Sequence, residues 1–379
     1  MKLQKKIIVA AVLTLLAQGA YADITIGVVA SLTGAAAALG SDTKRALALM
    51  PASLGDEKIT YILLDDATDP TTAVKSTQKL IAEYKVDAII GPNINPNAAA
   101  MSQVIADART PLVVTTPYFP AEPEKRLWVF QAVQSAGLMV QRIVEDMAAN
   151  NVKTVGYIGF ADSWGDLLFA ELEKNAAAAG IQIVAAERYK RPDTSVTGQV
   201  LKITGAKPDV IFVGASGAPA ALPQIELRQR GYTGKIYQSH GVTTKDFLRI
   251  GGKSAEGALI PASPVLVAEQ LPDSVTSKKA GVAFNAAYEK MVGADSRSTF
   301  AGSTWDAWLL LSNAIPAALK SGKPGSPEFR QALRDNLERT RDLVGVNGTY
   351  TMSATNHNGL DQRARVLIQV KNGRWDYVK

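Results

Sequence analysis

The chain has 379 residues, 47% hydrophobic and 20% charged, which is enough apolar material for a large packed core and too little charge for disorder. Its formal charge of +6 falls to +3 over 357 residues once 22 leader residues carrying three lysines are set aside, leaving no electrostatic footprint for nucleic acid. Cysteine is absent, which excludes disulfides, thiol catalysis, Cys-ligated metal sites and thiol-linked lipid anchoring.

Lys2, Lys5 and Lys6 precede an apolar run over residues 7–17, and the small residues of Ala20-Tyr21-Ala22 follow. This reads as a secretory signal peptide over residues 1–22, processed between Ala22 and Asp23, and it points to the periplasm. The run is well short of the roughly 20 residues a spanning helix needs. From Asp23 onward, strand-like and helix-like segments alternate. A strand is predicted over 24–29, a helix over 39–53, a strand over 59–64, and then a helix that Asp69 caps with Pro70 in its first turn. Residues 86–90 form a short continuous apolar run, the mark of a strand covered on both faces. The alternation restarts after residue 134. Ser135 stands ahead of a helix, followed by a strand over 155–160, a helix over 164–179 stopped by Gly180, and strands over 181–185, 210–213 and 235–238. Two such series predict an α/β fold with two Rossmann-like lobes, each built on a parallel sheet. The last third reads as helices near 274–293, 300–320 and 326–339, followed by strands over 349–352, 366–370 and 375–378. Asn372-Gly373 joins the final pair as a hairpin turn.

No combination of residues supplies credible catalysis, so catalytic residues, metal and cofactor are all expected to be absent. The two histidines, His240 and His357, lie far apart in sequence, and a His-based zinc site draws on nearby nitrogens. His357 sits in a polar, turn-like run and is expected in solvent. Gly251-Gly252-Lys253-Ser254 lacks the earlier glycine and the preceding strand of a phosphate loop, and is read as a turn. Gly214-Ala215-Ser216-Gly217 has its second glycine displaced from the nucleophile-elbow position, with no acid and histidine to complete a triad. Asp65-Asp66 ends a strand and is read as structural. Aromatic residues are more telling. Tyr118 and Phe119, Phe160 and Trp164, and the imidazole of His240 all follow strand ends, the rim that faces a cleft in open α/β sheets.

Several ordered motifs resemble the leucine/isoleucine/valine-binding protein family of periplasmic solute-binding proteins. They are Gly27-Val28-Val29-Ala30-Ser31-Leu32-Thr33-Gly34, Asp65-Asp66-Ala67-Thr68-Asp69-Pro70, Ile89-Ile90-Gly91-Pro92, Trp164-Gly165, Ala255-Glu256-Gly257, Trp305-Asp306-Ala307 and Asn372-Gly373-Arg374-Trp375. The resemblance covers essentially the whole chain after the leader. It implies a type I periplasmic binding fold with three hinge crossings, near 133, 261 and 341. Lobe 1 then comprises 23–133 plus 262–340, and lobe 2 comprises 134–261 plus 341–379. It further implies a monomer that closes on a small-molecule solute and hands it to an inner-membrane ABC permease, with a periplasmic sensor subunit as the alternative role.

The same resemblance puts Asn95 where the family usually has a carboxylate-binding serine, and Trp164 where an aromatic covers the ligand. Thr116, Tyr118 and Phe119 fall in a pocket loop, and Ser216 near a usual tyrosine. His240 stands where a glutamate normally meets an ammonium group. An ammonium in a closed cleft must meet an anion or several acceptors, and this chain departs from the family at that point. With Leu39 as an aliphatic wall and Phe160 among the rings, the expected ligand is an aromatic or otherwise apolar carboxylate without an amine. A branched-chain or other amino acid is the alternative.

Overall fold

The computed structural model describes residues 23–378; the leader assigned above lies outside them. The first sheet has the order β2-β3-β1-β4-β5-β6, built from β1 (Ile24–Ala30), β2 (Ser53–Leu54), β3 (Glu57–Asp65), β4 (Ala88–Ile90), β5 (Leu112–Val114) and β6 (Val129–Gln131). All its pairings are parallel except the short β2–β3 edge. Between these strands run α1 (Ala37–Leu47), α2 (Pro70–Ala82), α3 (Asn95–Ala108) and the single turn α4 (Pro123–Arg126). The helix predicted over 39–53 ends earlier, at Leu47, and the chain uses the remainder to reach β2. Asp69 caps α2 as expected, its carboxylate accepting from Thr72 N with Pro70 at the first helical position. Gly91 follows β4 with φ +104°, and a Cβ there would lie 2.0 Å from the Val29 carbonyl oxygen, so the loop passes against β1 only because this residue is glycine.

The second lobe repeats the plan. Ser135 caps α5 (Ala136–Ala149) through a bond from Leu138 N. The chain then runs through β7 (Thr154–Phe160), α6 (Ser163–Ala178), β8 (Gln182–Tyr189), α7 (Thr197–Gly205), β9 (Val210–Gly214), α8 (Ala221–Gln229), β10 (Lys235–Gln238), α9 (Lys245–Gly251) and β11 (Leu259–Ala262). With β14 (Val366–Lys371) and β15 (Arg374–Val378) the sheet order is β15-β14-β11-β10-β9-β7-β8, antiparallel only at the β14 and β15 edge. Asn372 and Gly373 turn the final hairpin with φ of 53° and 70°, opposite the pair Lys371–Arg374. β8 is four residues longer than its predicted end. It is an edge strand, half exposed, and the charges Glu187 and Arg188 on its outer half hide it from a hydrophobic pattern.

After β11 the chain returns to the first lobe through α10 (Lys278–Val292), α11 (Thr299–Ala318), α12 (Pro327–Glu338) and the small hairpin β12 (Leu343–Val344) with β13 (Thr349–Tyr350). α11 and α12 bury Leu310, Leu311, Phe329 and Leu333 on the first sheet, opposite the face that α2 and α3 cover with Leu80 and Met101. Tyr350, Met352, Leu360 and Ala364 pack into that same first core, whereas Val366, Leu367 and Ile368 belong to the second. On this packing we assign residues 341–364 to the first lobe and place the third crossing at about residue 365, not near 341. The sequence leaves this stretch ambiguous because its strand is two residues long.

The crossings are tied together. Gln134 Nε2, on the first, donates to the Ala364 carbonyl at 2.5 Å, and Ser263 Oγ, on the second, donates to Gln134 Oε1 at 2.9 Å. Asp306 on α11 accepts from Val346 N, Asn347 N and the Tyr350 hydroxyl at 2.8 to 2.9 Å, fixing the loop beneath this knot. His357 is buried, contrary to expectation. Its ring stacks on Phe130 with centroids 4.2 Å apart and places Nδ1 3.0 Å from Val129 O and Nε2 2.9 Å from Glu338 Oε1. The polar residues around it form a turn, which the imidazole ties to the lobe together with bonds from Gln131 N to His357 O and from Asn358 Nδ2 to Val133 O.

Candidate functional site

Parallel strands end at a common rim, and the two rims face each other across a narrow space. Leu39, Asn93, Ile94, Asn95, Thr116 and Phe300 line it from the first lobe. Trp164, Arg191, Ser216, His240 and Gly241 line it from the second. Each position follows from the local fold. Thr116 comes two residues after β5, and Asn93, Ile94 and Asn95 form the turn that leads from β4 into α3. Trp164 opens α6 just beyond β7, and Ser216 and His240 follow β9 and β10. Gly217 has φ +62°, and a Cβ on it would stand 3.1 Å from Leu39 Cδ1, which marks how closely the lobes approach here.

Six of the nine residues anticipated for the site therefore meet in the cleft: Leu39, Asn95, Thr116, Trp164, Ser216 and His240. Phe160, Tyr118 and Phe119 do not. Phe160 is the last residue of β7, and its side chain turns into the second lobe's core against Tyr189, with ring centroids 5.1 Å apart. After Pro117 the chain swings outward. Tyr118 packs on the first core with its hydroxyl 3.2 Å from Ser102 Oγ, and Phe119 lies at the surface beneath the Arg126 guanidinium. Both line a second, wider cavity. The ring wall of the cleft is instead Trp164, His240 and Phe300, with Trp164 edge-on to His240 at 5.4 Å and Phe300 near-parallel to it at 6.5 Å.

The sequence reading missed Asn93, Ile94, Gly241, Phe300 and, most consequentially, Arg191. It lies two positions beyond β8, so recognising that strand's true length would have placed it on the rim. Its Nε donates to Asp162 Oδ2 at 2.6 Å, its Nη1 donates to Ser216 Oγ at 3.0 Å, and its plane lies 4.2 Å over the Phe160 ring. Nη2 makes no protein hydrogen bond among the described residues and remains available to a ligand. Asp162 holds two parts of the site at once. Its Oδ1 caps α6 by accepting from Trp164 N and Gly165 N, and its Oδ2 orients the guanidinium.

The residues lining the cleft include one cation and no carboxylate, but the cation is compensated from just behind the lining, where Asp162 forms an ion pair with Arg191 at 2.6 Å. His240 contributes no charge, because complete burial pushes its pKa down to about 3 and keeps the ring neutral, which removes the protonated pairing that a histidine at this place first suggests. Its Nδ1 is buried without a hydrogen-bond partner. Asp65 and Asp66 are structural, accepting from Leu32 N and Thr33 Oγ1, and from Ser31 Oγ and Thr68 N, respectively. Asn95, which the resemblance put at a carboxylate-binding position, has both ends of its amide held by the protein and one N–H of Nδ2 unused. Its Nδ2 donates to Pro117 O at 2.7 Å and its Oδ1 accepts from Ser163 Oγ, across the lobes, at 2.8 Å.

A family model described as "Periplasmic binding protein" matches residues 23–374. The Leu/Ile/Val-binding protein homolog 3 of Brucella melitensis is 26% identical over 81% of this chain and 86% of its own. An extracellular ligand-binding receptor from Rhodopseudomonas palustris HaA2 superposes with a TM-score of 0.92 at 46% identity, covering 94% of this chain and all of that one. A solute-binding protein of an ABC transporter from R. palustris, solved in complex with benzoate, shares the fold with a TM-score of 0.81 at 20% identity, covering 94% of this chain and 96% of its own.

Proposed function

The chain belongs to the periplasmic binding protein family, whose members bind small solutes for membrane transporters and are not enzymes, and from that premise we propose that its solute is an aromatic or otherwise apolar carboxylate lacking an amine. The observation that carries this reading is Arg191, whose Nη2 makes no hydrogen bond among the described residues, while the nearby carboxylate, Asp162, is taken up by the guanidinium and the start of α6. An anionic head meets the guanidinium and the Ser216 hydroxyl in a charge-assisted contact of the strong kind. An α-ammonium would find no carboxylate that is not already paired, and burying it uncompensated costs several kcal/mol. The apolar remainder lies among Trp164, His240, Phe300 and Leu39, where ring contacts add roughly 0.5 to 1.5 kcal/mol each beyond burial. That this fold can house such a molecule is illustrated by the benzoate complex of the R. palustris protein. The names of the curated relatives favour a second reading, a branched-chain amino acid.

Because the solute touches both lobes, it binds the closed form better than the open one, and closure follows from that difference alone. The exported protein then presents its closed pair of lobes to an inner-membrane ABC permease. A thermal-shift and calorimetric panel of benzoate, 3-phenylpropionate and the three branched-chain amino acids tests the assignment. We expect the aromatic acids to stabilise the protein and Arg191→Ala to lower their affinity at least a hundredfold. Stabilisation by leucine with indifference to both acids would replace this reading with the amino-acid one.

A further inference from the structure

Beside the ligand cleft lies the wider cavity, about 520 Å³ and open to the surface, bounded by Tyr118 and Phe119 of the first lobe and by Leu167, Glu171 and Lys174 of the second. One side chain lines both spaces: Asn95. It is buried, and both ends of its amide are held, one by the Pro117 carbonyl and the other by Ser163 Oγ from the opposite lobe. Each end of the amide is held by one protein partner, which fixes its plane. The amide is pinned across the boundary between a small aromatic cleft and a roomier chamber. Pro117, Tyr118, Phe119 and Leu167 give that chamber an apolar side, and Glu171 and Lys174 a charged one.

We propose that the Asn95 side chain, braced by Ser163, is the partition that limits the length of the solute. Resting on the carboxylate reading above, this makes Asn95 a specificity-determining residue. A carboxylate anchored at Arg191 fills the inner space, and any tail reaching past the rings runs into the held amide. Shortening that amide joins the two spaces and gives the tail a path between Tyr118 and Leu167. Ser163 acts through Asn95 as a positioning residue, so removing its hydroxyl frees the amide to swing aside and produces the same change to a smaller degree.

The experiment compares 3-phenylpropionate with 8-phenyloctanoate by calorimetry on the parent protein, Asn95→Ala, Ser163→Ala and the double variant Asn95→Ala/Lys174→Trp, with melting temperatures confirming that each is folded. The parent is expected to bind the short acid and to discriminate against the long one by at least fiftyfold. Asn95→Ala should shrink that ratio at least tenfold and Ser163→Ala about threefold. Lys174→Trp, which fills the outer chamber from an exposed position, should restore discrimination without affecting the short acid. Equal binding of both acids by the parent, or tight binding of the short acid with a ratio that Asn95→Ala leaves unchanged, overturns the partition. Binding of neither acid by the folded parent overturns the carboxylate reading and the partition together.

Discussion

Trp164 and His240 are coupled side chains: the indole is held by Ala215 O at 3.4 Å from Nε1 and lies edge-on to the imidazole. Replacing either by alanine opens the ring wall without unseating a lobe, and each change is expected to weaken solute binding at least tenfold, about 1.4 kcal/mol, in calorimetry. His240 also predicts a pH dependence of stability. Its native pKa of about 3 lies below the ordinary histidine value, so between those limits the unfolded chain binds a proton that the native protein does not. Its contribution is therefore present above the ordinary value and lost as pH falls toward 3. Urea titrations of the parent and His240→Phe at pH 7.5 and 4.5 should show the parent losing more stability on acidification than the variant. Asp306 and Asp42 act in the opposite sense. Burial raises their carboxyls to about 7 and about 6, so the stability they add in acid is lost as pH rises through those values. The comparison between parent and variant cancels both.

At the scale of elements, the start of α6 joins stability to binding. Asp162 satisfies two free amides of that helix and orients Arg191 with its other oxygen. Asp162→Asn keeps an acceptor for the cap but cannot pair with the guanidinium. It is expected to cost under about 1 kcal/mol of stability while lowering affinity for an anionic solute at least fivefold. Asp162→Ala removes the cap as well and should lose about 1 to 2 kcal/mol in denaturant titration. Equal affinity in parent and Asp162→Asn would show that the guanidinium needs no such brace. The strands differ in how clearly they are written. The buried parallel strands β4, β5 and β9 are continuous apolar runs, whereas the edge strand β8 mixes charge into its outer half. Losing the end of β8 is what hid Arg191.

For the whole molecule, opening and closing must pass through three crossings joined at Gln134. The hydrogen bonds from Gln134 to Ala364 and from Ser263 to Gln134 link all three, so the lobes turn about one knot and not about three independent strings. Gln134→Ala leaves Ser263 Oγ without its acceptor and the Ala364 carbonyl without this donor, at a cost of about 1 to 3 kcal/mol of global stability. In small-angle scattering the parent should become more compact on adding 3-phenylpropionate, as ligand selects the closed form. Gln134→Ala should do so at a shifted ligand concentration, whereas Arg191→Ala should show no compaction. Compaction of Arg191→Ala at parental ligand concentrations would dissociate closure from the charge contact.

The sequence by itself determined the two βα series, the cap at Asp69, the helix start after Ser135, the final hairpin and the rim positions of Trp164 and His240. Each of these is a matter of local periodicity, backbone preference or strand polarity. Tertiary structure decided what no local rule encodes. It turned Phe160 into the core, carried Tyr118 and Phe119 to a neighbouring cavity, buried His357 against Phe130, and drew residues 341–364 into the first core. It also brought Arg191 opposite Phe300, residues from different lobes whose meeting depends on how two sheets are stacked. A strand specifies where its end lies, but the direction of each side chain there, and the charge it meets across a cleft, depend on the other lobe.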